Sequence, residues 1–329
     1  MGPVTRQRQQ LGPTDLAPLA RAALGGHRTL VGATRLRGGS RKGVYRLVLD
    51  DDTTAVAYVW APDEDYWNHS GAPAPAAAGG FGPFTAAHER LAAAGVRTPR
   101  LLFADGTGRH LAARAAVVED VRGGSLEEAL ARDPGAAAPV LDRLAGELAA
   151  LHACEGPRPG EVAVVDAGGG SPGGSRVERA REAALRDAAE AARRDPRAAA
   201  AHPAVAARVR ALAAAVEPRS RHRLLHGELG PDHVLVTPGG APVLIDIEGL
   251  VYGDVEEEHV FLALRFGPWY DRLRTPGLDP DRMAFYSLAM HLSLVAGPLR
   301  LLDGDFPDPG PMRAIAESNL RRVLELVPA

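Results

Sequence analysis

The chain has 329 residues and a mass of 34.5 kDa, long enough for two lobes because single cores stop growing at roughly 250–300 residues. A hydrophobic share of 46% and a charged share of 24% are those of an ordinary globular chain, and no long uncharged apolar run could cross a membrane. A net charge of −3 and a pI near 6.4 exclude a histone-like nucleic-acid binder, and the single cysteine, Cys154, excludes an intrachain disulfide or a Cys-rich zinc site.

The first residues, Met1 to Arg6, lead into a polar Gln/Arg stretch with no apolar h-region. We therefore expect no secretory leader and a cytoplasmic location. Thr14-Asp15 predicts the start of a short helix that Gly25-Gly26 ends. Strand patterns follow at Thr29–Val31, Gly43–Leu49 and Ala55–Trp60, the last two joined by a hairpin signal at Asp50–Thr53. Residues 61–83 read as a Pro/Gly/Ala-rich loop, and Phe84–Ala94 as a helix ending at Gly95. Arg100–Ala104 and Ala115–Val121 are further strands, so the N-terminal third is a mostly antiparallel sheet with one helix. Ser125-Leu126-Glu127-Glu128 is a capping-box helix start. Leu141–His152 is amphipathic, with Leu141, Leu144, Leu148 and Leu151 at helical spacing. A Gly/Pro loop over 156–175 precedes an Ala/Arg-rich helical region over 176–216, expected to break near Pro196 and Pro203. Leu224–Leu250 is apolar and short-stranded, and the rest is helical to Val327.

Two motif matches are decoys. Gly168–Gly173 fits G-x-G-x-x-G behind a strand-like Val162–Val165, but no alternating βαβ pattern surrounds it. Gly169–Gly173 fits G-x-S-x-G, yet Pro172 follows Ser171 and has no N–H to offer an oxyanion. No H-E-x-x-H occurs, and Gly38–Gly43 lacks the Lys-Ser/Thr of a Walker A loop.

Composition supplies a sharper clue. Of 38 basic residues all but Lys42 are arginine, and Ala, Gly and Pro abound, the codon bias of a GC-rich bacterial genome. Such a bias replaces lysine wherever arginine serves, and the two differ most where a compact charge meets a phosphate. The other informative stretch is His226-Gly227-Glu228-Leu229-Gly230-Pro231-Asp232-His233-Val234-Leu235-Val236, followed by Ile245-Asp246-Ile247-Glu248. A polar loop between short apolar strands, turned at Pro238–Gly240, can gather Glu228, His233 and Asp246 for phosphoryl transfer. That chemistry needs a carboxylate for the acceptor hydroxyl and ligands for Mg²⁺. The alternative is that Asp246 and Glu248 are solvated strand-end carboxylates and His226 a satisfied loop histidine.

His226–Val236 resembles the catalytic loop of the aminoglycoside phosphotransferases, usually written HGDLHPGNVLV. Ile245–Glu248 resembles their I-D-W-E metal strand, Gly253–Glu258 the G-D-P-x-x-D that follows, and Leu144–His152 the helix ending L-A-x-L-H. The resemblance spans roughly Leu36 to Arg265. It implies an α+β, bilobal protein-kinase-like fold with an antiparallel-sheet N-lobe over 1–118, a hinge over 119–123 and a mainly helical C-lobe over 124–329. It implies ATP (or GTP) with Mg²⁺ or Mn²⁺, bound in a cleft between the lobes, and phosphate transfer to a hydroxyl of a small molecule, an antibiotic among the candidates. No nucleic-acid or membrane partner is expected, and the chain would act as a monomer or homodimer. Glu228 stands where the family has its catalytic Asp. Asp246, His233 and Glu248 are the implied metal set, with His233 in place of Asn. The third strand should carry a lysine, yet Val56-Ala57-Tyr58-Val59-Trp60 carries none. Lys42, in Gly38-Gly39-Ser40-Arg41-Lys42-Gly43, fills that gap as in the with-no-lysine kinases, with Glu89 as its expected ion-pair partner. Backbone at Glu119 and Val121 would hold the base. The remaining readings are a nucleotide-binding pseudoenzyme of this fold and a non-catalytic binding protein. Asp254, Glu256, Glu257 and Glu258 either line an acidic acceptor pocket or flank the helix His259–Phe266, and Trp269 and Tyr270 either stack on substrate or belong to the core.

Overall fold

A computed structural model describes residues 10–36, 38–67, 80–169 and 173–327. Met1–Arg6, most of the 61–83 loop and the middle of both glycine-run decoys lie outside the described residues. Contacts divide the chain into two units. One holds the residues up to Val140 together with Asp232–Glu248, and the other holds Leu141–Pro231 and Gly249 onward.

The first unit is built on a five-stranded antiparallel sheet of order β1-β2-β3-β5-β4. Its strands are β1 (Leu30–Arg35), β2 (Gly43–Leu49), β3 (Thr54–Trp60), β4 (Leu101–Asp105) and β5 (Arg114–Glu119). Burial alternates along β2, so Tyr45, Leu47 and Leu49 face one side and Val44, Arg46 and Val48 the other. The first face packs with Ala57, Val59 and Val117 on Leu16 and Leu19 of α1 (Pro13–Leu24). α2 (Phe81–Ala93) starts a few residues before its predicted position and sends Phe84 against Tyr58. A hairpin of β9 (Val234–Val236) and β10 (Pro242–Leu244) belongs to this unit. It is tied in by Val236 N donating to Gly124 O (2.9 Å) and Leu244 N donating to Arg97 O (2.9 Å). α3 (Leu126–Arg132) begins at the predicted capping box, with Ser125 Oγ accepting from Glu128 N and Glu128 answering to Ser125 N.

The second unit is mostly helical. α4 (Pro134–Ala153) enters it. A four-stranded sheet of order β6-β8-β11-β7 then joins β6 (Glu155–Gly156), β7 (Gly160–Glu161), β8 (His222–Leu225) and β11 (Val251–Gly253). The strand-like Val162–Val165 folds instead as a single helical turn, α5, because so short an apolar run fits either state. α6 (Arg176–Arg194) and α7 (Pro196–Ala214) break at Pro196 as expected. The helix runs through Pro203, where packing on its neighbours outweighs the lost hydrogen bond. α8 (Val255–Phe266), α9 (Pro280–Leu301) and α10 (Pro309–Leu326) complete the unit. Its core gathers Val177, Ala184, Val209, Phe285, Leu292 and Val323. No described helix is long and apolar enough to cross a membrane.

Candidate active site

The turn between β1 and β2 delivers Lys42. Gly38 and Gly39 have φ of 103° and 78°, and a Cβ on Gly39 would stand 2.5 Å from the carbonyl of Lys42, so this turn needs glycine there. The segment after β3 grips the same turn. Tyr66 N donates to Ser40 O (2.8 Å), Trp67 Nε1 donates to Ser40 Oγ (2.9 Å), and the Arg41 guanidinium lies 5.1 Å from the Trp67 ring. Gly43 packs on Glu64, whose carboxylate a Cβ would meet at 2.6 Å. Glu64 is itself fixed by Tyr45 Oη (2.5 Å) and Arg35 (2.7 Å).

From this turn Lys42 runs inward and is 6% exposed. Its Nζ donates to Asp246 Oδ1 (2.8 Å) and to Glu248 Oε1, and lies 5.1 Å from the centroid of the Tyr58 ring. The lysine-free third strand thus presents an aromatic face to a cation arriving from the neighbouring strand. Burial alone would lower the Lys42 pKa, but Asp246 and Glu248 together raise it above the ordinary lysine range, so the ammonium stays charged. Burial pushes the Tyr58 hydroxyl up to about 12, against the pull of Lys42. Lys42 does not pair with Glu89, and that expectation is corrected. Glu89 is exposed on α2, and the residue before it, His88, lines the recess that Tyr58, Val118 and Glu248 also wall.

Asp246 follows β10 at φ 59°, a left-handed conformation that Asp tolerates better than most residues. Ile245 N donates to His233 O (3.0 Å), which ties this position to the 3-10 turn Pro231–His233. His233 Nε2 lies 3.7 Å from both Asp246 Oδ2 and Asp232 Oδ2. No set of three or more described His, Cys, Asp or Glu side chains would hold a metal alone. One accessible carboxylate nevertheless suits a Mg²⁺ that arrives with phosphate oxygens, which is how this ion is usually bound; the imidazole beside it is a poor ligand for so hard an ion and fits better as a neighbour of the carboxylates.

Residues 119–123 carry another ion pair. Arg46 of β2 forks onto Asp120 (2.9 and 3.1 Å), whose side chain is buried, and Arg122 joins it at 3.1 Å. Glu119 N donates to Arg100 O (2.9 Å), and Val121 is buried.

Lys42, Gly38–Gly43, Glu119, Val121, His233, Asp246 and Glu248 therefore share the first unit, while Glu228 belongs to the second. Glu228 is exposed on the loop after β8. That loop is held from beneath by Glu258 of α8, whose Oε2 accepts from His226 N (2.6 Å) and Gly227 N (3.2 Å). Burial raises the Glu258 pKa to about 7, against the pull of those two amides. The other acids of this stretch do not open an acceptor pocket. Asp254 is held by Arg282 (2.6 Å) and Tyr286 Oη (2.7 Å), Glu256 by Arg219 (2.6 and 2.8 Å) and Glu257 by Arg176. α8 starts at Val255, four residues before the predicted helix, so Glu256, Glu257 and Glu258 fill its first turn. Tyr270 is half-buried and its hydroxyl meets His259 Nδ1 at 3.2 Å. The Trp67 strap, Arg46–Asp120 and the Glu258 support were not predicted, because only tertiary placement links them to the site.

A family model described as the phosphotransferase enzyme family matches residues 32–291. The chain belongs to that family. No curated protein matches, but solved structures do. A thermostable mutant of the aminoglycoside phosphotransferase APH(4)-Ia, in complex with AMP-PNP and hygromycin B, is 16% identical. That match covers 93% of this chain and 98% of the other at a TM-score of 0.62. A protein assigned as a fructosamine-3-kinase from Thermobifida fusca YX-ER1 is 20% identical over 94% and 98%, TM-score 0.56. The GDP and kanamycin complex of APH(2")-IIia is 17% identical over 93% and 96%, TM-score 0.58. The likeness establishes the fold, an antiparallel N-terminal sheet followed by a mostly helical remainder, of the protein-kinase-like class that the motifs implied.

Proposed function

We propose that this phosphotransferase moves the γ-phosphate of ATP or GTP to a hydroxyl of a small molecule. The observation that carries the reading is the chain's one lysine, buried beside Asp246 and Glu248 after entering from a glycine turn. A compact cation next to an accessible carboxylate is what a polyphosphate needs, the cation for its oxygens and the carboxylate for the metal it brings. Asp246, with His233 as its neighbour, would hold Mg²⁺, which neutralises charge on the phosphates when bound. Lys42 would bind the α- or β-phosphate, with the Gly38–Gly43 backbone around it. Glu119 and Val121 would supply main-chain groups to the base, on a hinge that Asp120 and Arg46 fix. Glu228 would orient or deprotonate the acceptor hydroxyl, on a loop that Glu258 steadies from its backbone side.

Nucleotide complexes of the structural neighbours support this cofactor class. Their aminoglycoside ligands make an antibiotic one acceptor to test. The acids at 254–258, however, are taken up by arginines and backbone amides, so they supply no cation-binding wall. The test is an ATP- and GTP-consumption screen over hydroxylated antibiotics and metabolites, with Glu228→Gln as control. We expect turnover on at least one acceptor, and a kcat lowered by roughly 10²–10⁴ in Glu228→Gln with nucleotide affinity within a few-fold. Nucleotide binding without turnover on any acceptor would favour the pseudoenzyme reading, and an active Glu228→Gln would remove Glu228 from the chemistry.

A further inference from the structure

The two carboxylates on Lys42 are not equivalent. The Asp246 side chain is 42% exposed, whereas those of Glu248 and Lys42 are each 8% exposed. Asp246 keeps its second oxygen near His233. Glu248, in the 3-10 turn Ile247–Gly249, gives Oε1 to Lys42, while its Oε2 is buried with no hydrogen-bond partner among the described residues. Mg²⁺ retains several waters and dehydrates reluctantly, so an oxygen cut off from solvent is a poor ligand for it. A buried ammonium, in turn, needs a partner that stays.

We propose that Glu248 is the positioning residue of Lys42 and not a metal ligand. The cation and the carboxylate that steadies it have both moved, the lysine from β3 to the phosphate turn and the carboxylate from α2 to the turn after Asp246. This inference rests on the nucleotide-binding reading above. When phosphate draws on Lys42, Asp246 can trade the lysine for another cation because water reaches it. Glu248 cannot let go without leaving an uncompensated buried charge. Glu89, exposed on α2, is not needed for this role.

The test compares wild type, Glu248→Gln, Lys42→Met and the double variant, with ADP binding followed by calorimetry at saturating Mg²⁺. Mn²⁺ binding to the ADP-saturated proteins is followed by electron paramagnetic resonance. Glu248→Gln should weaken ADP at least about tenfold beside Lys42 but less than about twofold in the Lys42→Met background, the non-additivity expected of one coupled pair. Glu248→Gln should leave Mn²⁺ affinity within about twofold of its parent in either background. Should Glu248→Gln fail to fold, Glu248→Asp keeps the charge and shortens the reach, and it should weaken ADP in the same Lys42-dependent way. Unchanged ADP affinity overturns the proposal, as does an equal loss in both backgrounds. A Mn²⁺ affinity lowered about tenfold whether or not Lys42 is present would return Glu248 to the metal. Wild type that binds no ADP would overturn the nucleotide reading itself, and this inference with it.

Discussion

Two clusters of opposite charges, one in each unit, look alike in sequence and differ in construction. In the helical unit Asp254 and Arg282 are 1% and 3% exposed at the side chain, Asp254 also accepts from Tyr286, and the exposed partner of Arg282, Asp279 at 40%, caps the N-terminus of α9. The Lys42 cluster is also buried on the lysine side, at 8%, but opens at Asp246, 42% exposed. A charge pair sealed on both sides can only hold the fold together, because separating it strands a charge in low dielectric. A pair with one hydrated member can exchange partners at small cost. The task of the exposed partner, a helix cap in Asp279 and contact with Lys42 and His233 in Asp246, separates the two clusters more than the number of acids does.

That contrast can be broken. Arg282→Ala should cost about 3–5 kcal/mol of stability, the usual penalty for orphaning a buried ion, read as a lowered denaturation midpoint with the slope unchanged. A variant as stable as wild type would make the two clusters equivalent and undo the distinction.

The Glu258 carboxyl gives a second, smaller handle. Its pKa is raised from 4.5 to about 7 by burial, so the folded protein binds the proton more tightly than the unfolded chain does. Its contribution to stability is present below about pH 4.5 and is lost as pH rises through about 7. Melting temperatures of wild type should therefore fall relative to Glu258→Gln across that window and run parallel to it above it. Parallel curves over the whole range would mean that Glu258 carries no such proton.

The smallest expected effect lies at the strap. Trp67→Phe removes the bond to Ser40 Oγ while keeping a ring for Arg41, a loss of about 0.5–1.5 kcal/mol. It should appear as a few-fold rise in KM for nucleotide with the acceptor KM unmoved. A change confined to the acceptor would show that the strap does not serve the phosphate turn.

Much of the scaffold was legible because local rules agreed with tertiary ones. The alternation of Gly43–Leu49, the hairpin at Asp50–Thr53 and the capping box at Ser125 all lie where their residues predict. Lys42 was legible for a different reason: a compositional bias left it alone in its type. Its partner was not, since Glu248 reads as part of a metal motif and Glu89 lies in the predicted helix Phe84–Ala94. Only burial tells which of the two faces the lysine. No spacing rule links Ser40 to Trp67, or Arg46 to Asp120, so the strap and the Arg46–Asp120 pair were invisible before the fold.

The central claim, that Lys42 is the phosphate-binding cation, is tested most directly by steady-state kinetics of Lys42→Arg with ATP or GTP as the varied substrate. Arginine keeps the charge but is larger, planar and more weakly hydrated, and it must fit between Tyr58, Asp246 and Glu248. We expect a fall in kcat/KM for nucleotide of at least about tenfold, or about 1.4 kcal/mol, with the nucleotide-free protein still folded. Near-wild-type kinetics in Lys42→Arg would contradict it and leave the lone lysine an accident of composition.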